Sequence, residues 1–365
     1  MSRILILTGF FILITFPINA GGINVSGVVT DQDNNGPVQY VTVYINGSTI
    51  GTITDQDGAF KLTGFSVPCE LILSHVSYEL QRFEIKDTSS LSIISFELNR
   101  KIVQLEEVTV ILDSARQEYL SRFKAWFLGK DYAATGADIL NGNVLSFIPL
   151  EGDQFEAYAM EPLLINLPKT GYLLKTDLVH FRLKQNAELE RYHCSILGYF
   201  YFEKIEYGTR GQQKNIARNR VKTYYNSRFH FCRSLYENKL KENGYNLEMI
   251  SMNTDKDSLP GLVEPDYSYW YSDEVSGDPV LNLSDFTSTA FRIKYYHKSG
   301  NKPVDLTYLY AHPSKLSYSG LYFLNDTVRI FSSGWVGENS VSFSGAIGDK
   351  GVAWMLPEDY IPSMR

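Results

Sequence analysis

Asp31, Asp33, Asn35 and Gly36 stand in the order that opens a calcium-binding loop, with oxygen ligands at alternate positions before a glycine turn. The twelfth position of such a loop needs a bidentate glutamate but holds Thr42, and the flanking residues alternate as strands do. The expectation is therefore a structural turn made by Asx side chains and glycine, without metal. Histidine chemistry is equally incomplete. His75 and Glu79 are four residues apart, a spacing that gathers zinc ligands on a helix, yet they fall in or beside a strand pattern. None of the 6 histidines begins a His-x-x-Glu, and the chain has no His-Glu-x-x-His, Gly-x-Ser-x-Gly, Gly-x-Gly-x-x-Gly or phosphate-loop motif. His230, even with Arg233 and Glu161 in view, has no nucleophile or second acid placed near it by sequence. It is expected to be a hydrogen-bonded packing residue. No catalytic residue, metal ligand or cofactor is assigned.

Binding chemistry is easier to find. Tyr267, Tyr269, Trp270 and Tyr271 form an aromatic run that could stack on a sugar or a peptide, because such rings offer flat area with a polar tip. The competing reading is a buried aromatic strand. Residues 219–243 read as a helix: Val221, Tyr225, Phe229, Cys232, Tyr236 and Leu240 recur at spacings of three and four. Arg218, Lys222 and Arg233 contribute to its basic face. A basic amphipathic helix can lie on a membrane surface or meet an acidic partner, and it can also pack on a sheet with its charges in solvent.

The elements that must position these residues are mostly strands. Aromatic content is 14%, with 25 Tyr, and tyrosine suits half-buried strands. Val41, Val43 and Ile45 alternate with Thr42, Tyr44 and Asn46. Asn46-Gly47 and Asp57-Gly58 are hairpin-type dipeptides. About seven short strands over residues 22–112 predict a β-sandwich. Residues 113–129 read as a helical connector, with Tyr119, Phe123 and Trp126 or Phe127 on one face and Gly129 to end it. Residues 130–365 read as a β-rich domain carrying the helix at 219–243, with strands at 172–183, 192–205, 291–296, 306–310, 328–331 and 341–343. The fold class is mainly β, α+β overall, in two domains.

The first 20 residues read as a secretory signal: Arg3, an apolar run over 4–16, Pro17, and small Ala20 at the cleavage position. No cysteine follows Ala20, so lipid attachment there is not expected. The expected location is the periplasm or the periphery of an outer membrane. A net charge of -7 argues against a general nucleic-acid partner. Cys69, Cys194 and Cys232 are too few for a disulfide framework and are expected as unpaired small hydrophobes.

Residues 25–30 (Val-Ser-Gly-Val-Val-Thr), Pro37-Val38, residues 54–60 (Thr-Asp-Gln-Asp-Gly-Ala-Phe), residues 71–78 and residues 105–110 (Leu-Glu-Glu-Val-Thr-Val) resemble the carboxypeptidase-regulatory-like domain. The resemblance implies a seven-stranded transthyretin/Ig-like sandwich, an accessory module that also precedes the plug of many TonB-dependent receptors in Bacteroidota. The module is not itself a peptidase. Ser77 departs from the pattern, standing where the family usually has glycine. Further on, Phe127-Leu128-Gly129, residues 157–162, residues 199–202, residues 224–227 and Met355-Leu356-Pro357 resemble exported Bacteroidota proteins in which the sandwich precedes an uncharacterised β-rich region. That resemblance transfers no site residues.

The function these readings favour is a non-enzymatic envelope protein that binds or scaffolds an envelope protein, a peptide or a glycan, with peripheral membrane contact as an open possibility. The alternatives are a peptide or glycan hydrolase with dispersed residues and a small outer-membrane barrel of eight to ten strands.

Overall fold

The computed structural model describes residues 22–87, 94–101, 113–186, 191–206, 208–251, 270–272, 279–282, 289–296, 316–324, 327–336 and 341–362. The signal reading and the strand expected at 306–310 lie outside these residues, as do Tyr267 and Tyr269.

Two small sheets form the N-terminal sandwich. Strand β1 (Ile23–Asp31) pairs antiparallel with β4 (Ala59–Phe65) and parallel with β7 (Ile94–Leu98). The second sheet runs in the order β3 (Gly51–Ile53), β2 (Thr42–Ile45), β5 (Cys69–His75), β6 (Tyr78–Ile85). Alternation along β1 sends Val25 and Val29 inward to meet Val43, Leu71 and Leu73 from the facing sheet. The seven strands expected from sequence are all present. Gly58 adopts φ +69°, and a Cβ there would lie 2.4 Å from the Val29 carbonyl oxygen, so this turn requires glycine. Ser77 is not among the left-handed residues, so the position does not need the glycine usual in the family.

The near-calcium motif is a turn. Asp31 is buried, and its carboxylate accepts from the Tyr78 hydroxyl at 2.7 Å and from Arg100 Nε at 2.8 Å. The Tyr78 hydrogen bond leads the interactions that lower its pKa. Asn35 takes the left-handed conformation at φ 55°. Among the described residues no three His, Cys, Asp or Glu side chains gather in a way that could hold a metal ion.

Helix α1 (Asp113–Phe127) is more than a connector. Phe123 and Phe127 are fully buried in the largest core, against Phe147, Phe155 and Phe181 of a six-stranded sheet. That sheet runs β8 (Asp138–Ile139), β11 (Leu163–Leu167), β12 (Tyr172–Asn186), β10 (Phe155–Ala159), β9 (Leu145–Pro149), with β13 (Arg191–Lys204) also paired to β12. Gly129 ends the chain's turn out of α1 at φ +101°, close against the Lys350 carbonyl.

The stretch expected as one helix at 219–243 is two shorter ones. Helix α3 (Arg210–Tyr224) begins nine residues earlier, where Thr209 caps it by accepting from Gln212 N. Helix α4 (Arg228–Tyr236) follows, capped by Ser227, which accepts from His230 N. Between them Asn226 is left-handed at φ 58°, which breaks the run. A four-residue α2 (Tyr132–Thr135) lies upstream as a single short turn of helix.

A second core lies behind α4. There a four-stranded sheet runs β14 (Tyr245–Ser251), β17 (Thr289–Tyr296), β18 (Leu316–Phe323), β20 (Val341–Ser344), and short α5 (Gly345–Gly348) closes its end. Strands β15 (Trp270–Ser272), β16 (Pro279–Asn282) and β19 (Thr327–Arg329) make a separate small sheet. Among the described residues no sheet reaches the eight strands that the barrel reading requires. No helix among them is long and apolar enough to cross a membrane.

All three cysteines are unpaired. Cys232 is buried on α4, while Cys69 and Cys194 are partly exposed. Burial pushes the Cys69 and Cys194 thiols up to about 12 and that of Cys232 up to about 11. None is a reactive thiolate at neutral pH.

Candidate functional site

The sandwich is built into the rest of the protein through one face of the β2–β5 sheet. Tyr44 and Ile72 point outward from the sandwich and are buried against Tyr199 of β13. The Tyr44 and Tyr201 rings stack with centroids 5.3 Å apart. At the centre lies the Asp177 carboxylate of β12. It accepts from the Tyr44 hydroxyl and from Ser74 Oγ, each at 2.6 Å. Burial raises the Asp177 pKa, and the two hydroxyl donors oppose that shift.

The turn at Asn46-Gly47 then extends the six-stranded sheet. Gly47 N donates to the Phe200 carbonyl at 2.7 Å, and Phe202 N donates to the Ser48 carbonyl at 2.9 Å. Asn46 Oδ1 accepts from Phe200 N at 3.0 Å. Ser48 thus bridges in parallel to Tyr201, and the free edge of β13 is covered. The C-terminal tail locks the same turn. Glu358 N donates to the Gly47 carbonyl at 2.7 Å, and Thr49 N donates to Asp359 at 2.9 Å.

Helix α3 presents the other notable surface. Arg210, Lys214, Arg218 and Lys222 recur every four residues, which places them along one face. All four are exposed, and none makes an ion pair or hydrogen bond with a described residue. The helix contains no acidic residue. Its inward face is polar too: Asn219 Nδ2 donates to the Lys169 carbonyl at 3.0 Å, and Arg220 Nε donates to the Thr170 carbonyl at 2.6 Å. The Arg220 guanidinium lies 4.1 Å over the Tyr172 ring.

Arg233 is not part of a basic face. Its guanidinium turns inward and donates to the carbonyls of Ser333, Tyr360 and Glu358 at 2.7, 2.9 and 2.5 Å. The reason is geometric: α4 packs beside the C-terminal tail, whose carbonyls need donors. His230 is buried, with Nδ1 2.8 Å from the Tyr245 hydroxyl and rings of Tyr224, Tyr225 and Tyr295 around it. Beside it, Lys350 Nζ donates to the Asn226 carbonyl at 2.7 Å, and burial lowers its pKa to about 8. Trp270 and Tyr271 stand in β15, with backbone paired to Leu281 and Val280.

These interactions identify the N-terminal unit by its strand order and turns, and sequence comparison decides its family. Residues 25–110 match the CarboxypepD_reg-like domain. Over 89 residues the chain is 36% identical to TonB-dependent receptor P39 of Formosa agariphila, covering 24% of this chain. The chain spans only 8% of that receptor's length. Two solved structures were also matched. One is a Bacteroides fragilis protein of unknown function described as membrane-associated, at 8% identity, covering 51% of this chain and 84% of that one, with a TM-score of 0.18. The other is a 9R-lipoxygenase from Cyanothece, at 10% identity, covering 64% and 52%, also at 0.18. At that score neither supports an argument about fold or function.

The junction of the CarboxypepD_reg-like domain with its neighbour also holds Glu358, whose backbone N donates to the Gly47 carbonyl. Its carboxyl feels the charges of Glu70 of the domain and of Arg228 and Arg233 of α4. Burial raises its pKa to about 8, Glu70 adds to the shift, and Arg228 and Arg233 oppose it. A carboxyl raised in the folded state favours folding below its unfolded value near 4.5, and that contribution is lost as pH rises through about 8. Glu358→Gln is expected to stabilise the protein at pH 8–9 by about 1 kcal/mol, allowing for partial exposure, and to change little at pH 5. Thermal melts of both proteins across this pH range check the sign.

Proposed function

We propose that the protein is a non-enzymatic, envelope-associated scaffolding protein that docks on an anionic membrane surface through helix α3. The observation that carries the reading is the row of Arg210, Lys214, Arg218 and Lys222, exposed and without counter-charge on their helix. In a chain of net charge -7, that row is a local reversal of sign and orients the molecule toward negative charge. The stripe makes no hydrogen bond or ion pair with a described residue, which suits a diffuse planar surface. Its helix is too polar to bury in acyl chains, so attachment is electrostatic and peripheral. The CarboxypepD_reg-like domain and its likeness to part of a TonB-dependent receptor support an envelope location. The signal-like N-terminus supports export.

Flotation of the full chain with vesicles tests the reading. The protein should rise with phosphatidylglycerol-containing vesicles, stay behind with pure phosphatidylcholine, and be released by molar salt. Equal partition into both, or into neither, rejects surface docking.

A further inference from the structure

The four-stranded sheet behind α4 has an outer face that the membrane reading leaves unused. Its inner face carries Leu247, Phe291, Ile293 and Leu321 in the core. Strand register sets the outer face in rows. Glu248, Arg292, Gly320 and Ser344 are direct neighbours across the four strands. In the flanking rows Lys294 stands opposite Tyr318, and Ala290 stands opposite Tyr322.

Four features make this face unusual. Tyr318 and Tyr322 are 52% and 39% exposed, although each lies on an internal strand. Gly320 lies between them, and Ser344 Oγ and the Tyr322 ring close over it. A Cβ there would come 2.4 Å from Ser344 Oγ and 3.0 Å from the Tyr322 hydroxyl, so the ring and the serine already converge on that space. Arg292 is half-buried and makes no ion pair or hydrogen bond with a described residue. Glu248 is only 8% exposed; Oε1 accepts from Lys294 Nζ, and Oε2 is buried with no partner.

Glu248 and Lys294 neutralise each other, so the charge left on the face is the Arg292 guanidinium, a planar fork matched to a carboxylate. Beside these groups stand two aromatic rings on a flat sheet. The backbone of β17 is paired on both sides, and that of β18 is over Gly320–Phe323, so a peptide cannot add as a strand there. A sugar acid suits the cation and the two rings together, with a carboxylate for the guanidinium and a flat pyranose for an aromatic face. We propose that this face binds a hexuronate unit of an acidic glycan, with the uronate carboxylate on Arg292 and the pyranose against Tyr318 or Tyr322.

The test is calorimetric titration of the full chain with trigalacturonate and with the neutral galactose trimer. Saturable binding is expected for the acidic trimer, with the neutral one at least tenfold weaker. Arg292→Gln should remove that preference by lowering affinity for the acidic trimer at least tenfold. Tyr318→Ala should weaken both trimers, and Tyr318→Phe should retain binding. Because Arg292 and Tyr318 hold no hydrogen-bond or ion-pair partner among the described residues, both variants should melt like the parent. Quadruple substitution on α3 should leave the titration unchanged, which separates this site from the membrane surface. No binding of trigalacturonate overturns the proposal. Equal affinity for the two trimers also overturns it, as does an acidic trimer indifferent to Arg292→Gln. A preference for an acidic peptide over the sugar acid counts against it in the same way.

Discussion

Tyr44→Ala is expected to destabilise the protein by about 3–5 kcal/mol and to split one unfolding transition into two. The side chain is 1% exposed, stacks on Tyr201 and donates to Asp177. Removing it takes away a buried ring, in the range of other buried aromatic truncations, and leaves Asp177 with Ser74 as its one hydroxyl donor. The loss falls at the junction, so the CarboxypepD_reg-like domain and the body should lose their coupling while each keeps its own core. Tyr44→Phe separates the contributions. It keeps the ring and removes the hydrogen bond, at a cost of about 1–3 kcal/mol. Differential scanning calorimetry of the two variants gives both numbers, and a single transition for Tyr44→Ala at unchanged temperature would show that the junction contributes nothing.

Changing Arg210, Lys214, Arg218 and Lys222 together to Gln is expected to reduce vesicle affinity by two to three orders of magnitude. Each basic residue near an anionic surface contributes about 1 kcal/mol, and a factor of ten corresponds to about 1.4 kcal/mol. Stability should be nearly unchanged, because none of the four has a partner to lose among the described residues. Arg233→Gln should do the reverse. It strips donors from three carbonyls and destabilises the tail, yet leaves vesicle binding intact wherever the protein stays folded. Flotation and thermal melts on the same two proteins separate a docking surface from a structural cation.

The sandwich was legible in sequence because its rules are local. Val41, Val43 and Ile45 alternate, and Asp57-Gly58 marks a turn whose φ only glycine takes comfortably. Helix α3 was legible only in part. The basic residues Arg218 and Lys222 stood out, but the helix begins at Arg210 under the Thr209 cap, and its inward face includes Asn219 and Arg220 bonded to carbonyls. Apolar periodicity cannot detect such a face. Arg233 looked like its basic neighbours because nothing in the local sequence reveals the tail carbonyls it binds. The junction was hidden for the same reason: Asp177 lies 133 residues from Tyr44 and 103 from Ser74. Asn46-Gly47 announced a turn, although not that the turn would pair with β13. The outer-face row of Glu248, Arg292 and Gly320 depends on register between three strands, which no single strand specifies.

Presenting α3 in a fixed direction requires that the sandwich and the body move as one piece, and amide hydrogen exchange at Gly47 and Phe202 measures this most directly. Both amides donate across the junction, to Phe200 and to Ser48. Exchange as slow as in the paired amides of β12 is the expected result. Exchange at the rate of an open turn would mean that the sandwich detaches, and the scaffold described here would be wrong.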